Sequence, residues 1–261
     1  MTKPPPRPQH KFLRTLGMVM LIVPLALGGW LYTHHVYSPA AMHPQNLPII
    51  CIDPGHPSEV NAGATVQNGL REVEVVYDMA LKLKQLLENP AHPIARVVMT
   101  RDFREATGKI VTNRQRAEIA NHAGALLLLR LHTDTGPGAG YTIYYPDRTG
   151  KAKDGKIGPS AKLIAASADA AQDFHAGMAE SLHLSPDQLQ DDGVKGESAT
   201  FVGSKQGALT GSVYAQQSAL TVEMVFLSNP HDAKIIGSES GQQMMAKALA
   251  SGVSRYFCNR K

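Results

Sequence analysis

Three apolar runs that each stop at, or enclose, a histidine or a carboxylate constrain this chain more than any other feature. The first, Ile49-Ile50-Cys51-Ile52-Asp53-Pro54-Gly55-His56, breaks abruptly into a Pro-Gly turn and delivers His56 to the rim of a sheet. The second is a leucine run with Arg130 inside it, and it ends in His132. The third, Ala219-Leu220-Thr221-Val222, leads into Glu223 and continues as Met224-Val225-Phe226. Runs this apolar suit strands covered on both faces. In open α/β sheets, ligands bind outside the carboxyl ends of the strands. Imidazoles and carboxylates gathered at those ends suggest a metal site.

Between these runs the hydrophobic period switches from strand to helix and back. Residues 47–53 read as a strand, and 72–87 as a helix with Val73, Val76, Ala80, Leu83 and Leu87 at three- and four-residue steps. A β-branched strand at 94–100, a polar helix at 112–122 and an apolar strand at 125–131 follow. Residues 141–145 form a short strand, 159–182 an Ala-rich helix and 219–226 a further strand. Asn229-Pro230 puts a capping side chain before a first-turn proline and starts a short helix. The last helix spans 240–256, and the polar, Gly-rich stretch 147–158 reads as a loop. This alternation predicts an α/β fold: a single domain with a mostly parallel twisted sheet, covered by helices on both faces. At 261 residues and 43% hydrophobic content the chain can bury such a core.

The net charge of +4 belongs to one end. Lys3, Arg7, Lys11 and Arg14 are the only charged residues before Leu47 and account for all of it. The remainder is neutral and the chain has only 6% aromatic residues, so nucleic-acid binding has no support. The basic residues 1–14 precede an uncharged run of 18 residues at 15–32 (TLGMVMLIVPLALGGWLY). At about 1.5 Å per residue that run just crosses a hydrocarbon core of about 30 Å. It reads as a membrane anchor or as a signal segment cleaved near Ala40-Ala41. Pro24 and Gly28-Gly29 argue against a buried helix of the domain. The positive-inside tendency makes 1–14 a cytoplasmic tail. Residues 33–46 then form a linker, and 47–261 a domain in the cell envelope. That domain is held at the extracytoplasmic face of the inner membrane, or is periplasmic or secreted if the segment is cut. Export would permit a Cys51–Cys258 disulfide. The simpler reading is a small buried hydrophobe and an unrelated thiol.

His56, Glu72, His132 and Glu223 are the groups a hydrolytic zinc centre needs. Catalytic zinc takes three protein ligands, commonly two His and one Glu, and keeps a fourth position for water. A nearby carboxylate takes the proton of that water during attack. Spacing does not decide the matter, because the residues stand 16, 60 and 91 positions apart and no HExxH motif occurs. Each also has a structural alternative. His56 suits a turn, Glu72 favours a helix N-terminus whatever its function, and His132 suits a satisfied core. Glu223 fits such an alternative worst, since an ionised group inside an apolar strand is costly unless paired or metal-bound.

The chain resembles the zinc-dependent N-acetylmuramoyl-L-alanine amidases of the Amidase_3 type, bacterial cell-wall hydrolases. The likeness runs from about Pro48 to Tyr256, and its motifs fall in family order. They are IICIDPGH at 49–56, Gly63-Ala64, LREVEVVYDMALKLKQLL at 70–87 and VVMTRD at 97–102. Arg114 with Ala120-Asn121, LLLLRLHTD at 126–134 and LTVEMVFLSNPHD at 220–232 complete the set. The resemblance implies that His56, Glu72 and His132 hold Zn2+ and that Glu223 is the catalytic carboxylate. It further implies a peptidoglycan or muropeptide substrate, cut between N-acetylmuramic acid and L-alanine. A protein activator and an inhibitory helix are features of such enzymes; 147–200 leaves little length for the latter.

Two positions depart from the family pattern. Pro57-Ser58-Glu59 replaces the usual glycines after His56, which reshapes the rim. Arg130 stands where many members have Ser, and would pair with a carboxylate behind the metal or bind an anionic group of the substrate. Glu74 is an alternative to Glu72, but two residues along a helix it faces away. Two other functions stay open on residues alone. One is a zinc hydrolase cutting a peptide bond within the stem; the other is a membrane-tethered, non-catalytic wall-binding module.

Overall fold

The elements alternate from the first strand onward. They are β1 (Ile49–Pro54), α1 (Glu72–Leu87), β2 (Arg96–Met99), α2 (Asn113–His122), β3 (Leu127–Asp134) and β4 (Tyr141–Tyr145). Next come β5 (Gly150–Lys151), β6 (Ile157–Gly158), α3 (Ala161–His183), β7 (Asp191–Gly196) and a 3-10 turn at Glu197–Ala199. The chain ends with α4 (Phe201–Gln206), α5 (Thr210–Tyr214), β8 (Ser218–Phe226), α6 (Pro230–Ile236) and α7 (Glu239–Cys258). This computed structural model describes residues 46–66, 69–105, 108–183, 185 and 189–260. The residues described from Leu47 onward form one compact unit. The expected tail and apolar segment, and the linker up to residue 45, lie outside the described residues. Among the described ones no helix is long and apolar enough to cross a membrane.

Six strands make the main sheet in the order β2-β1-β3-β8-β4-β7. The first four run parallel; β4 joins β8 antiparallel, and β7 pairs parallel with β4. The sheet is therefore mostly parallel, as the alternation predicts, with a reversed pair along one side. Because side chains alternate along each strand, its two faces differ. Ile50, Ile52, Leu129, Leu131, Leu220 and Val222 join one large apolar cluster with α1, α3 and α7. Cys51, Leu128 and Ala219 meet the smaller residues Ala117 and Ala120 of α2, with Tyr214 of α5 beside them. Helix starts follow sequence chemistry. Thr112 and Gln115 form a capping box on α2, and Asn229 caps α6 with Pro230 behind it.

The structure corrects the sequence reading in several places. Residues 147–158 are not all loop, because β5 and β6 pair as a short hairpin. The polar strand β7 (DDGVKG) carries no apolar alternation. It is held by tertiary contacts instead: the Asp191 carboxylate lies 2.9 Å from His175 of α3, and Gln190 O accepts from Tyr141 N at 2.9 Å. Helices α4 and α5 were not expected either. Their segment is tied by Asp147, which accepts from Ser198 N and Oγ, and by Glu197, which accepts from Leu209 N and Ser212 Oγ. Cys51 is buried and Cys258 exposed, and both are free thiols.

Candidate metal centre

The chain leaves β1 for β2 on one side and later returns as β3 on the other. Such a switch opens a crevice at the carboxyl ends of the two strands. His56 follows β1, His132 lies near the end of β3, and Glu72 is the first residue of α1. The crevice brings the three together. His56 Nε2 and His132 Nδ1 each lie 3.3 Å from Glu72 Oε1. One donor atom from each residue lies within 4.8 Å of the others, and this is the single such group among the described residues.

Local backbone aims each donor. His56 adopts φ 55°, a left-handed conformation that costs an L-residue about 1–2 kcal/mol. Its Nδ1–H donates to the Asn61 carbonyl at 3.2 Å, which leaves Nε2 facing Glu72. Gly55 cannot be larger, since a Cβ there would stand 2.3 Å from the His132 ring. Glu72 Oε2 accepts from Ala64 N at 3.0 Å, and Oε1 from Thr133 N at 3.2 Å. Burial alone would raise the Glu72 carboxyl, but hydrogen bonds and charge from His132 and His56 hold it well below the usual carboxylate range. Burial pushes His132 down to about 4, against the pull of Glu72, so its imidazole is neutral at pH 7 with a lone pair to offer. Glu74 pairs with Arg71 and Arg104 and takes no part.

Glu223 stands beside His132, its register partner across β3 and β8. Its Oε2 is buried with no hydrogen-bond partner among the described residues. Burial, followed by repulsion from Glu72 and Asp134, raises its pKa well above the ordinary value. A buried orphan oxygen costs free energy unless something completes its environment. A cation on the adjacent His–Glu–His group, with a water beside it, supplies both the missing charge and the missing hydrogen-bond donor. The donor set therefore fits a metal.

Behind the donors lies a network of which the sequence offered one link, Arg130 pairing with a carboxylate, without naming that carboxylate or the other arginines. Asp53 is fully buried. Its Oδ1 accepts from Arg116 Nη1 and Thr100 Oγ1 at 2.5 Å each, and its Oδ2 accepts from Arg130 Nε at 2.9 Å. Burial opposes its charge, but the two guanidiniums hold its carboxyl well below the usual range. Arg116 also donates to Pro54 O and Pro57 O at 2.8 Å each. Arg101 donates to Pro54 O, Gly55 O and Val73 O at 3.0, 3.1 and 2.6 Å. Arg101 thus ties the loop that carries His56 to the first turn of α1 that carries Glu72, and Arg116 holds that loop at Pro54 and Pro57. A signal for this was present: an aspartate inside an apolar strand needs cations, and Arg130 sits in the neighbouring run.

His56, His132 and Glu223 line a cavity of about 240 Å³, with Arg130, Thr221 and Tyr144 deeper along the strands. Val60, Phe201 and Val202 stand exposed at its rim.

A family model described as Amidase_3, N-acetylmuramoyl-L-alanine amidase, matches residues 50–255. The chain belongs to this amidase family. As a member it is a cell-wall hydrolase of peptidoglycan, which sets aside the non-catalytic module. The amidase Rv3717 of Mycobacterium tuberculosis is 24% identical over 250 residues, covering 86% of this chain and 93% of that protein. The amidase Ami1 of Mycobacterium smegmatis superposes with a TM-score of 0.63 at 21% identity, over 81% of this chain and 97% of that one. The CwlD amidase of Clostridioides difficile, solved in complex with the GerS lipoprotein, superposes at 0.53 and 19% identity, over 81% and 99%.

Proposed function

We propose that this amidase holds zinc on His56, Glu72 and His132, and that Glu223 moves the proton as the bond between N-acetylmuramic acid and L-alanine is cut. The orphaned, buried Oε2 of Glu223 beside the His–Glu–His group carries the proposal. Zinc, when bound there, lowers the pKa of a water toward neutrality and polarises the lactyl carbonyl. Glu223, beside a cation held there, would ionise and could accept a proton. Glu223 takes the proton of the attacking water and hands it to the departing amine of L-alanine, so the amine leaves neutral. Arg101 and Arg116 keep His56 and Glu72 in place while this happens.

The basic residues 1–14 and the apolar run 15–32 support an enzyme anchored at the extracytoplasmic face of the membrane, or exported across it. A protein activator would find the exposed apolar rim of Val60, Phe201 and Val202 beside the cavity, and the CwlD amidase is solved with a protein partner, the GerS lipoprotein. The test is to incubate the zinc-loaded full-length protein with purified peptidoglycan and identify the released products by mass spectrometry. Stem peptides that begin with a free L-alanine amine are expected. Shorter peptides would move the cut into the stem and contradict the proposal.

A further inference from the structure

The turn after His56 is held by contacts that take no direct part in the hydrolysis. His56 Nδ1–H donates to the Asn61 carbonyl at 3.2 Å, and the same carbonyl accepts from Ser58 N at 2.8 Å. Asn61 Oδ1 accepts from Gly63 N at 2.8 Å. A Cβ on Gly63 would stand 3.2 Å from His56 Cβ, so the chain passes close against His56 there. The direction of the His56 ring therefore depends on where residues 57–61 lie. None of those five residues belongs to a helix or strand, so their position must come from tethers.

Side chains from two other elements supply them. At Pro57 the carbonyl accepts from Arg116 Nη2 at 2.8 Å. At Glu59 the carboxylate Oε2 accepts from both Asn113 N and Asn113 Nδ2, at 2.8 and 3.2 Å. Asn113 opens α2, a helix with no acidic residue in its own first turn. Glu59 supplies from another segment the negative charge that a helix start favours. Asn113 also accepts through Oδ1 from Arg130 Nη2 at 2.6 Å. Arg130 Nε donates to Asp53, which accepts from Arg116 as well. These contacts close into a ring of Glu59, Asn113, Arg130, Asp53, Arg116 and the Pro57 carbonyl, two residues before Glu59. Pro57-Ser58-Glu59 and Arg130 are the two places where the chain departs from its family pattern, and Asn113 joins them.

We propose that Glu59 is a positioning residue for His56, and that Asn113 couples it to Arg130 so that the two departures work as one device. This rests on the reading of His56, Glu72 and His132 as the metal donors. Glu59 is exposed, so its hydrogen bonds add little to the stability of the fold. Its effect is local. With the tether cut, residues 58–61 are free to leave α2, the Asn61 carbonyl no longer fixes the His56 ring, and Nε2 loses its aim. Arg116 still holds Pro57, which limits the movement to the far part of the turn.

The test measures zinc affinity of the full-length protein by competition with a chelator, alongside urea unfolding of the metal-free form. Glu59→Ala is expected to weaken zinc affinity about tenfold, the lower end for a group that orients a metal ligand, with the unfolding midpoint unchanged. Glu59→Gln keeps an oxygen for Asn113 N and should restore affinity to within about twofold of wild type. Asn113→Ala cuts the link to Arg130 and should weaken affinity by a similar factor. Because both variants open one ring, the double variant should be little worse than either alone. Fully additive losses in the double variant overturn the coupling. Unchanged zinc affinity in Glu59→Ala, or a loss matched by a lower unfolding midpoint, overturns the positioning role. If the wild type binds no zinc, the metal reading fails instead, and hydrogen exchange of the metal-free protein decides. The amides of Ser58 and Gly63, both bonded to Asn61, should exchange about tenfold faster in Glu59→Ala, and equal rates overturn the tether.

Discussion

The two faces of one sheet are built from alternate residues of the same strands, yet they do different work. On β3, Leu127, Leu129 and Leu131 enter the large apolar cluster under α1, α3 and α7. Between and beyond them, Leu128, Arg130 and His132 point to the other face, where apolar packing gives way to ion pairs and then to the metal donors. The apolar face is insensitive to which chemistry the protein performs; any close-packed set of side chains would serve. The polar face has few apolar contacts to spare, and its groups satisfy each other or wait for substrate and metal. Apolar packing is concentrated on one side and the ion pairs and metal donors on the other, with a pleat of one residue separating them.

That contrast can be broken in order of expected effect. Asp53→Ala removes the shared carboxylate and leaves Arg116 and Arg130 charged and buried without it. Denaturant unfolding should show a loss of about 3–5 kcal/mol, with zinc affinity lost alongside. Leu129→Ala, one position from Arg130, should cost about 2–5 kcal/mol but leave zinc affinity and turnover intact at temperatures where the protein stays folded. Equal damage to zinc binding by both variants would erase the distinction between the faces.

Glu197 sharpens the comparison through pH. Burial pushes its carboxyl from 4.5 up to about 7, against hydrogen bonds from Ser212 and Leu209. The folded state therefore holds this proton more tightly than the unfolded chain. Its contribution is fully present below about pH 4.5 and is lost as pH rises to about 7. Glu197→Gln keeps the Leu209 contact through its amide oxygen and removes the titration. Unfolding curves across that window should flatten by on the order of 2–3 kcal/mol relative to wild type. An unchanged slope would show that another group carries the dependence. Gly55→Ala, which forces a methyl into the His132 ring, should weaken zinc affinity by about 10–100-fold with a smaller effect on folding, measured by competition with a chelator.

The sequence made the working strands legible and the wall of the cavity illegible, for one physical reason. β1, β3 and β8 are buried on both faces, so their apolar runs stand out, and the residues that interrupt them, His56, His132 and Glu223, stand out too. Glu72 was readable from its place at a helix start. Asp53 was not read as functional because it closes an apolar run where a turn residue is expected. Its importance appears only when Arg116, distant in sequence, folds onto it. β7, α4 and α5 carry no hydrophobic period and exist because Asp147, Asp191 and Glu197 bind distant partners, contacts that no local pattern announces. Arg130 was readable as a residue with two uses, and Asp53 is the carboxylate that accounts for the first.

The central claim is that Glu223 moves the proton while His56, Glu72 and His132 alone hold the metal. The most direct test is the zinc content and peptidoglycan turnover of Glu223→Gln beside the wild type. The expected result is unchanged zinc content with turnover lower by at least about a hundredfold. Turnover close to wild type with zinc retained would contradict the account, and loss of zinc in this variant would place Glu223 among the ligands instead.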